Sequence, residues 1–409
     1  MKKVSVVIGK NFGDEGKGLV TDLLCTGKQN SLVIKHNGGA QAGHTVENEK
    51  GRFVFHQLSS GSFQRAHTLW ARTYFPDLYK LGDEVCQFHE MAGCLPDILC
   101  DYRTPMVIID DVLVNMALET MRGKNRHGSC GMGINESYVR TSAGFGITVA
   151  DALAGSACSL AVKLKEIRKE YVLPRIKDLM ITAEYKELLH SDTVLENVAE
   201  AIMKNGQYVT ITQSVGELVN SYENIVFESG QGLLLDSEYL KFAPHLTTSR
   251  TGLANPVELA KEMKIQLTDV YYVTRSYVTR HGAGPLPCEC DKIQLGKIGR
   301  DLTNVPNPWQ GELRYAPHVS LSDFVEPVHA DLKNHLCVNR SADPSVFPGD
   351  KPKLHLFITH LNETNGKVCF EDGNVAFSKL REMDFIRGTF DECIGSDMMN
   401  CYNNTPRNQ

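Results

Sequence analysis

A strand that breaks at a glycine-rich turn and restarts as a helix leaves a chain few folds to choose from, and residues 4–25 carry that pattern. Val4-Ser5-Val6-Val7-Ile8 is a β-branched apolar run of the kind buried in a sheet. Gly9-Lys10-Asn11-Phe12-Gly13-Asp14-Glu15-Gly16-Lys17-Gly18 follows, and Leu19 to Cys25 then spaces its apolar residues as a helix does. Such a unit brings backbone N–H groups and the positive end of a helix to one spot, which suits a phosphate. Lys17 adds a point charge able to follow a phosphoryl group in transfer. The loop departs from the Walker pattern: Asn11 stands where its first glycine belongs, and Gly18 replaces the metal-binding hydroxyl. Asp14 and Glu15 would repel phosphates unless one holds a bridging Mg²⁺ or acts as a base. A tight turn with two solvated acids is the plainer alternative.

Ser31 to His36 is a second apolar strand, and it too ends in a glycine loop, Asn37-Gly38-Gly39-Ala40-Gln41-Ala42-Gly43-His44-Thr45. Two such loops in succession predict an α/β fold: a mainly parallel central sheet flanked by helices, with a site at the strand ends. His44 is a candidate general acid or phosphate ligand, or else a structural histidine. At 409 residues and 42% hydrophobic content, the chain has ample material for a core. Its net charge of -6 is not clustered, so no nucleic-acid surface is expected. No apolar run is long enough for a membrane span, and Met1-Lys2-Lys3 leads into a strand rather than a signal peptide. Twelve scattered cysteines fit reduced thiols in a cytoplasmic protein, and Cys288 and Cys290 lack a second pair for zinc.

From Phe53 to about Arg103 strand and helix signals alternate without chemistry; Val107 to Asp110 then reads as a strand and Asp111 to Met121 as a helix. Arg122 to Ile134 is basic and glycine-punctuated, which fits an anion loop and a basic surface loop equally. About 145–220 reads as a helical insertion in a single domain spanning 1–409, with helices Asp151–Lys165, Ile167–Leu179 (interrupted at Pro174) and Thr193–Lys204. Asn224 to Asp236 returns to strand and then a glycine turn, where Gln231 could donate to an oxygen.

Gly13-Asp14-Glu15-Gly16-Lys17-Gly18 after a first strand, followed by the loop at 37–45, resembles the adenylosuccinate synthetase family. Phe227-Glu228-Ser229-Gly230-Gln231-Gly232-Leu233-Leu234-Leu235-Asp236 is similar to that family's Phe-Glu-Gly-Ala-Gln-Gly-Thr-Leu-Leu-Asp. Thr279-Arg280-His281-Gly282-Ala283-Gly284-Pro285 likewise matches its Thr-Arg-Val-Gly-Ala-Gly-Pro turn. The resemblance implies a P-loop-like fold with a helical insertion, and a cytoplasmic homodimer that joins L-aspartate to C6 of IMP using a nucleoside triphosphate and Mg²⁺. It implies that Asp14 takes the purine N1 proton, that Gln231 holds O6, and that Lys17 and His44 guide the transferred phosphoryl group. Asp14 and the carbonyl of Gly43 would contact Mg²⁺, and Gly13, Glu15, Gly16 and Gly18 would surround the phosphates. Gln41 stands where the family has an asparagine at the 5′-phosphate, and Cys130, beside Ser129, replaces a threonine of the nucleotide's phosphate loop. Thr247 and Arg280 complete the implied nucleotide contacts, Arg250 is a departure, and Arg140 is the nearest arginine to one donated across the family's dimer interface.

The family's arginine-rich aspartate loop is eroded over Asp301–Tyr315, where Thr303 and Arg314 are the survivors. Arginine suits the bidentate grip on a carboxylate, so this loss bears on how aspartate is held. Asn362 replaces the aspartate that selects guanine, and an amide fits the adenine edge better; ATP is therefore expected to compete with or replace GTP. Gly395-Ser396-Asp397 weakly matches a base-contact turn. A phage branch of the family acts on dGMP with ATP or dATP and shares the Thr-Ser-Arg run of residues 248–250, but typically has serine in place of the loop aspartate; Asp14 favours IMP. A nucleotide-binding relative without catalysis is the alternative from another class.

Overall fold

In the computed structural model, which describes residues 2–123, 129–299, 301, 303, 311–337 and 351–395, the first strand is the axis of the sheet. β1 (Lys3–Gly9) is buried along nearly its whole length, as its unbroken apolar run requires. The chain next lays down β2 (Ser31–Lys35), the hairpin β3 (His44–Asn48) and β4 (Gly51–Phe55), then β5 (His67–Trp70), β6 (Ile98–Asp101) and β7 (Val209–Thr212). β8 (Asn224–Gly232), β9 (Asp269–Arg275), β10 (Val278–Arg280), β11 (Arg314–Ala316) and β12 (Lys353–Thr359) follow. A short pair, β13 (Lys367–Val368) and β14 (Val375–Ala376), precedes β15 (Glu392–Gly395). Among the described residues nine of these form one sheet, in the order β15-β12-β9-β1-β8-β2-β5-β6-β7, and every neighbouring pair is parallel.

β1 lies between β8 and β9, so the chain builds outward on one side to β7, returns beside β1, and then builds outward on the other. That reversal opens a crevice at the carboxyl ends of the strands, where ligands of open α/β sheets bind. The crevice is bordered by the ends of β1, β2, β8, β9 and β12.

Three readings of the sequence are corrected. Val107–Asp110 is not a strand: Ile109 opens a helix that runs to Arg122, because the Asp111 carboxylate accepts the Ile108 N–H at 3.0 Å and caps it. Both acids stay buried, Asp110 against Arg168 and Asp111 against Arg140. The helix expected over Asp151–Lys165 breaks into Val149–Leu153 and Ala157–Ile167, since Ser156 caps the second by accepting from Ser159 N. The segment read as insertion also contributes β7 to the sheet edge, after the helix Asp192–Gly206. These helices pack on the Phe53, Phe55, Phe63 and Phe88 side of the sheet. Among the described residues no helix is long and apolar enough to cross a membrane.

Candidate active site

The loop after β1 holds its shape through Glu15. Its carboxylate turns under the loop, accepts the N–H groups of Asn11 (3.0 Å) and Gly13 (2.7 Å), and pairs with Lys17 Nζ at 2.8 Å. Burial would raise the Glu15 carboxyl, but Lys17 and the loop N–H groups outweigh it and hold the group below the usual range. Glu15 is therefore not the solvated acid or phosphate-facing side chain of the sequence reading; it is a brace. Gly16 caps the helix Lys17–Cys25 at φ 94°, a conformation that glycine adopts without cost. Asp14, at φ 62°, gives its carbonyl to Arg275 Nε at the end of β9, which ties the loop to the neighbouring strand.

Gly18 has a different reason from the missing metal hydroxyl. A Cβ there would lie 3.0 Å from His44 Cβ and 3.2 Å from the Thr45 carbonyl, so the bare glycine lets β3 pack on the helix's first turn. Gly18→Ala is expected to push the hairpin away and cost about 1–3 kcal/mol of stability. Thermal denaturation measures this, and an unchanged melting temperature would show that the contact yields freely.

That packing delivers His44. Its Nδ1 donates to Glu228 Oε1 at 2.7 Å, and Glu228 also receives Ser60 N at 3.3 Å and the Ser60 hydroxyl, with Lys35 Nζ at 3.8 Å. Burial would raise the Glu228 carboxyl, but Lys35, His44 and Ser60 pull it down to about 2. Burial lowers the His44 pKa despite Glu228. The ring is thus neutral with its proton on Nδ1, and among the described residues its buried Nε2 has no partner. An anion arriving at Nε2 favours the imidazolium. The sequence reading passed over Glu228; a lone acid preceding Gln231 on a buried strand was the available signal.

Gln231 lies within the last residues of β8 rather than in a turn, because Gly232 still pairs with Gly9. The Ser249 hydroxyl donates to Gln231 Oε1 at 3.0 Å, which fixes the amide and leaves its NH₂ as a donor. Thr247 Oγ1 lies 3.2 Å from Ser249 Oγ, whereas Arg250 pairs with Asp236 and Glu238. Gln41 folds over Gly38 and keeps a buried Oε1 that has no partner among the described residues. The Ser129 hydroxyl donates to Asn115 at 2.8 Å. Burial raises the Cys130 thiol, so a neutral S–H stands there. Arg280 lies 4.3 Å over the Phe12 ring and donates to the Pro285 (2.7 Å) and His245 (3.0 Å) carbonyls, leaving a buried Nε without a partner among the described residues. Burial first, and Arg314 second, lower its pKa to about 10.

These groups surround one cleft of about 2090 Å³, which Gly13, Asp14, Gly16, Lys17, Gly18, Gln41, Gly43, His44, Ser129, Cys130, Gln231, Thr247, Arg280, Thr303 and Asn362 all line. Single small-ligand pockets occupy roughly 300–1,000 Å³, so this one has room for more than one substrate. Two arginines drop out. Arg314 is spent on Glu289 and on the carbonyls of Gly282 (3.0 Å) and Gly284 (2.8 Å). Arg140 is buried on Asp111 and the carbonyls of Phe145 and Met106, so its guanidinium is occupied within its own chain. Residues 302 and 304–310 of the expected aspartate loop and Ser396-Asp397 lie outside the described residues.

Residues 6–309 match the family model described as adenylosuccinate synthetase. Adenylosuccinate synthetase from Picosynechococcus is 30% identical over 307 residues, which are 73% of this chain and 66% of that protein. The Bacillus subtilis protein of the same name is 27% identical over 301 residues, 72% and 68% of the two chains. The aligned part thus spans about two thirds of these curated relatives. Among solved structures, adenylosuccinate synthetase from Plasmodium falciparum superposes with a TM-score of 0.64 at 16% identity, over 90% of this chain and 79% of that one. The succinoaminodeoxyadenylate synthetase of cyanophage S-2L, bound to dGMP and dATP, gives 0.57 at 14% identity over 96% and 91%. With a model match across most of its length and the fold in common, the chain belongs to the adenylosuccinate synthetase family.

Proposed function

We propose that this protein is a C–N ligase that joins L-aspartate to C6 of IMP with hydrolysis of a nucleoside triphosphate. The observation that carries the reading is that Asp14, Lys17, His44 and Gln231 line one cleft large enough for several substrates. The C6 oxygen of a 6-oxopurine is a poor leaving group, so it must first be activated. Asp14 takes the N1 proton while the Gln231 NH₂ donates to the O6 anion that results. Lys17 and the His44 imidazolium meet the γ-phosphoryl group as it passes to O6. The aspartate amine then attacks C6, the C6–O bond breaks, and phosphate leaves. Asp14 and Gly43 line the cleft, and the Asp14 carboxylate and Gly43 carbonyl, both hard oxygen donors, would hold a Mg²⁺ there. Bound there, the ion supplies charge neutralisation to the substrate phosphates. A cytoplasmic homodimer is proposed from the family resemblance, and one domain over residues 1–409 from a sheet that draws strands from Lys3–Gly9 through Glu392–Gly395.

Asn362, exposed at the cleft beyond β12, supports ATP as donor because its amide complements the adenine edge. Phosphate release with Mg²⁺ and L-aspartate, crossing IMP, GMP and dGMP against ATP and GTP, tests both statements. Turnover with IMP and ATP is expected, and Asn362→Asp should move the donor ratio toward GTP by about 10- to 100-fold. A wild-type preference for GTP sinks the Asn362 assignment. Turnover only with dGMP replaces IMP as acceptor, and silence with nucleotide binding intact overturns the ligase reading.

A further inference from the structure

The amino-acid substrate brings two carboxylates, and the arginine expected to grip one, Arg314, is tied to Glu289. The cations lining the cleft are otherwise committed. Lys17 is held by Glu15, Arg122 by Glu119, and Arg275 by the Asp14 carbonyl, Tyr277 and Asp301. Lys50 donates to the Phe63 carbonyl at 2.8 Å, Lys80 to Met132 Sδ, and Arg280 to two carbonyls. Arg52 differs. Among the described residues it has no carboxylate at ion-pair distance, and its one hydrogen bond is from Nη2 to the Thr303 hydroxyl.

Its place in the hairpin sets where that free fork points. β3 and β4 pair antiparallel, with Thr45 opposite Val54 and Glu47 opposite Arg52, so these four side chains share one face and His44 lies on the other. Thr45 Oγ1 reaches the same Thr303 Oγ1 at 2.5 Å. Two hydroxyls and a guanidinium whose other four N–H donors are unused among the described residues therefore converge one residue beyond His44. Glu47, across from Arg52, is exposed and makes no ion pair with it among the described residues. We propose that Arg52, flanked by the Thr45 and Thr303 hydroxyls, grips a carboxylate of the amino-dicarboxylate substrate. This rests on the ligase reading and replaces the arginine run that the chain has lost.

Steady-state kinetics of the full chain and calorimetric titration with L-aspartate, alone and with nucleotides present, test it on Arg52→Gln and Arg52→Lys. Arg52→Gln is expected to raise the KM and Kd for L-aspartate by about 10- to 100-fold while leaving those for both nucleotides within twofold. Arg52→Lys, which restores charge without the planar fork, should recover part of the loss. Unchanged aspartate affinity in an active Arg52→Gln protein overturns the proposal. So does a parallel rise for all three substrates that lysine does not rescue, which would mark a merely structural contact. A wild type that turns over nothing but binds L-aspartate in an Arg52-dependent way sinks the ligase reading and leaves the carboxylate site standing. A wild type that neither reacts nor binds aspartate overturns both.

Discussion

Asp14→Asn is expected to lower kcat by about 10²- to 10⁴-fold, the range of a positioned general base, while nucleotide affinity stays within a few-fold. Asparagine is the right replacement because of the backbone. Asp14 sits at φ 62°, a left-handed conformation that asparagine shares readily and other side chains resist. The loop would therefore keep its course, with the residue-14 carbonyl still held by Arg275 and the Glu15 brace still accepting from Asn11 and Gly13. What changes is the ability to accept a proton. Alanine would confound that loss with strain. Rapid-mixing phosphate release reports the chemistry, and nucleotide titration reports the binding. Turnover near the wild-type rate would assign the base elsewhere.

The parts of this protein that were legible from sequence were those encoded within a few residues. β1, its glycine loop and the following helix are written in one stretch, and so is the second loop that carries His44. Their convergence follows from the rule that parallel sheets gather loops at one end. Two kinds of information were hidden. The first is direction: whether Glu15 faces a phosphate or turns beneath the loop depends on Lys17 and on loop N–H groups whose orientation no local pattern reveals. The second is long-range pairing. His44 finds Glu228 across 184 residues, and Arg52 meets Thr303 across 251. Helix starts fell between: Val107–Asp110 has the composition of a strand, and only Asp111 folding back on Ile108 makes it a helix start.

Glu228→Gln is expected to cost about 3–5 kcal/mol of stability and to lower kcat by about 10- to 100-fold. Glu228 is buried, and its carboxylate accepts from His44 and twice from Ser60 while balancing the buried Lys35 ammonium. A glutamine has one acceptor oxygen, so its NH₂ must face the Nδ1–H of His44 or the donors of Ser60, and Lys35 loses its counter-charge. The pH dependence carries a separate signature. The folded pKa near 2 lies below the ordinary glutamate value of 4.5, so the stabilisation is complete above the higher value and is lost as pH falls through the lower. In Glu228→Gln that acid limb should flatten in pH-dependent denaturant titrations. Stability and catalysis can then be pulled apart with the double variant Lys35→Met/Glu228→Leu. Replacing both members of a buried ion pair by apolar groups is often close to neutral, so much of the lost stability should return. The activity should not, because no acceptor remains to hold the His44 proton on Nδ1 and steady the ring against an arriving phosphoryl group. Recovery of both together would mean that Glu228 acts on turnover only by keeping the protein folded.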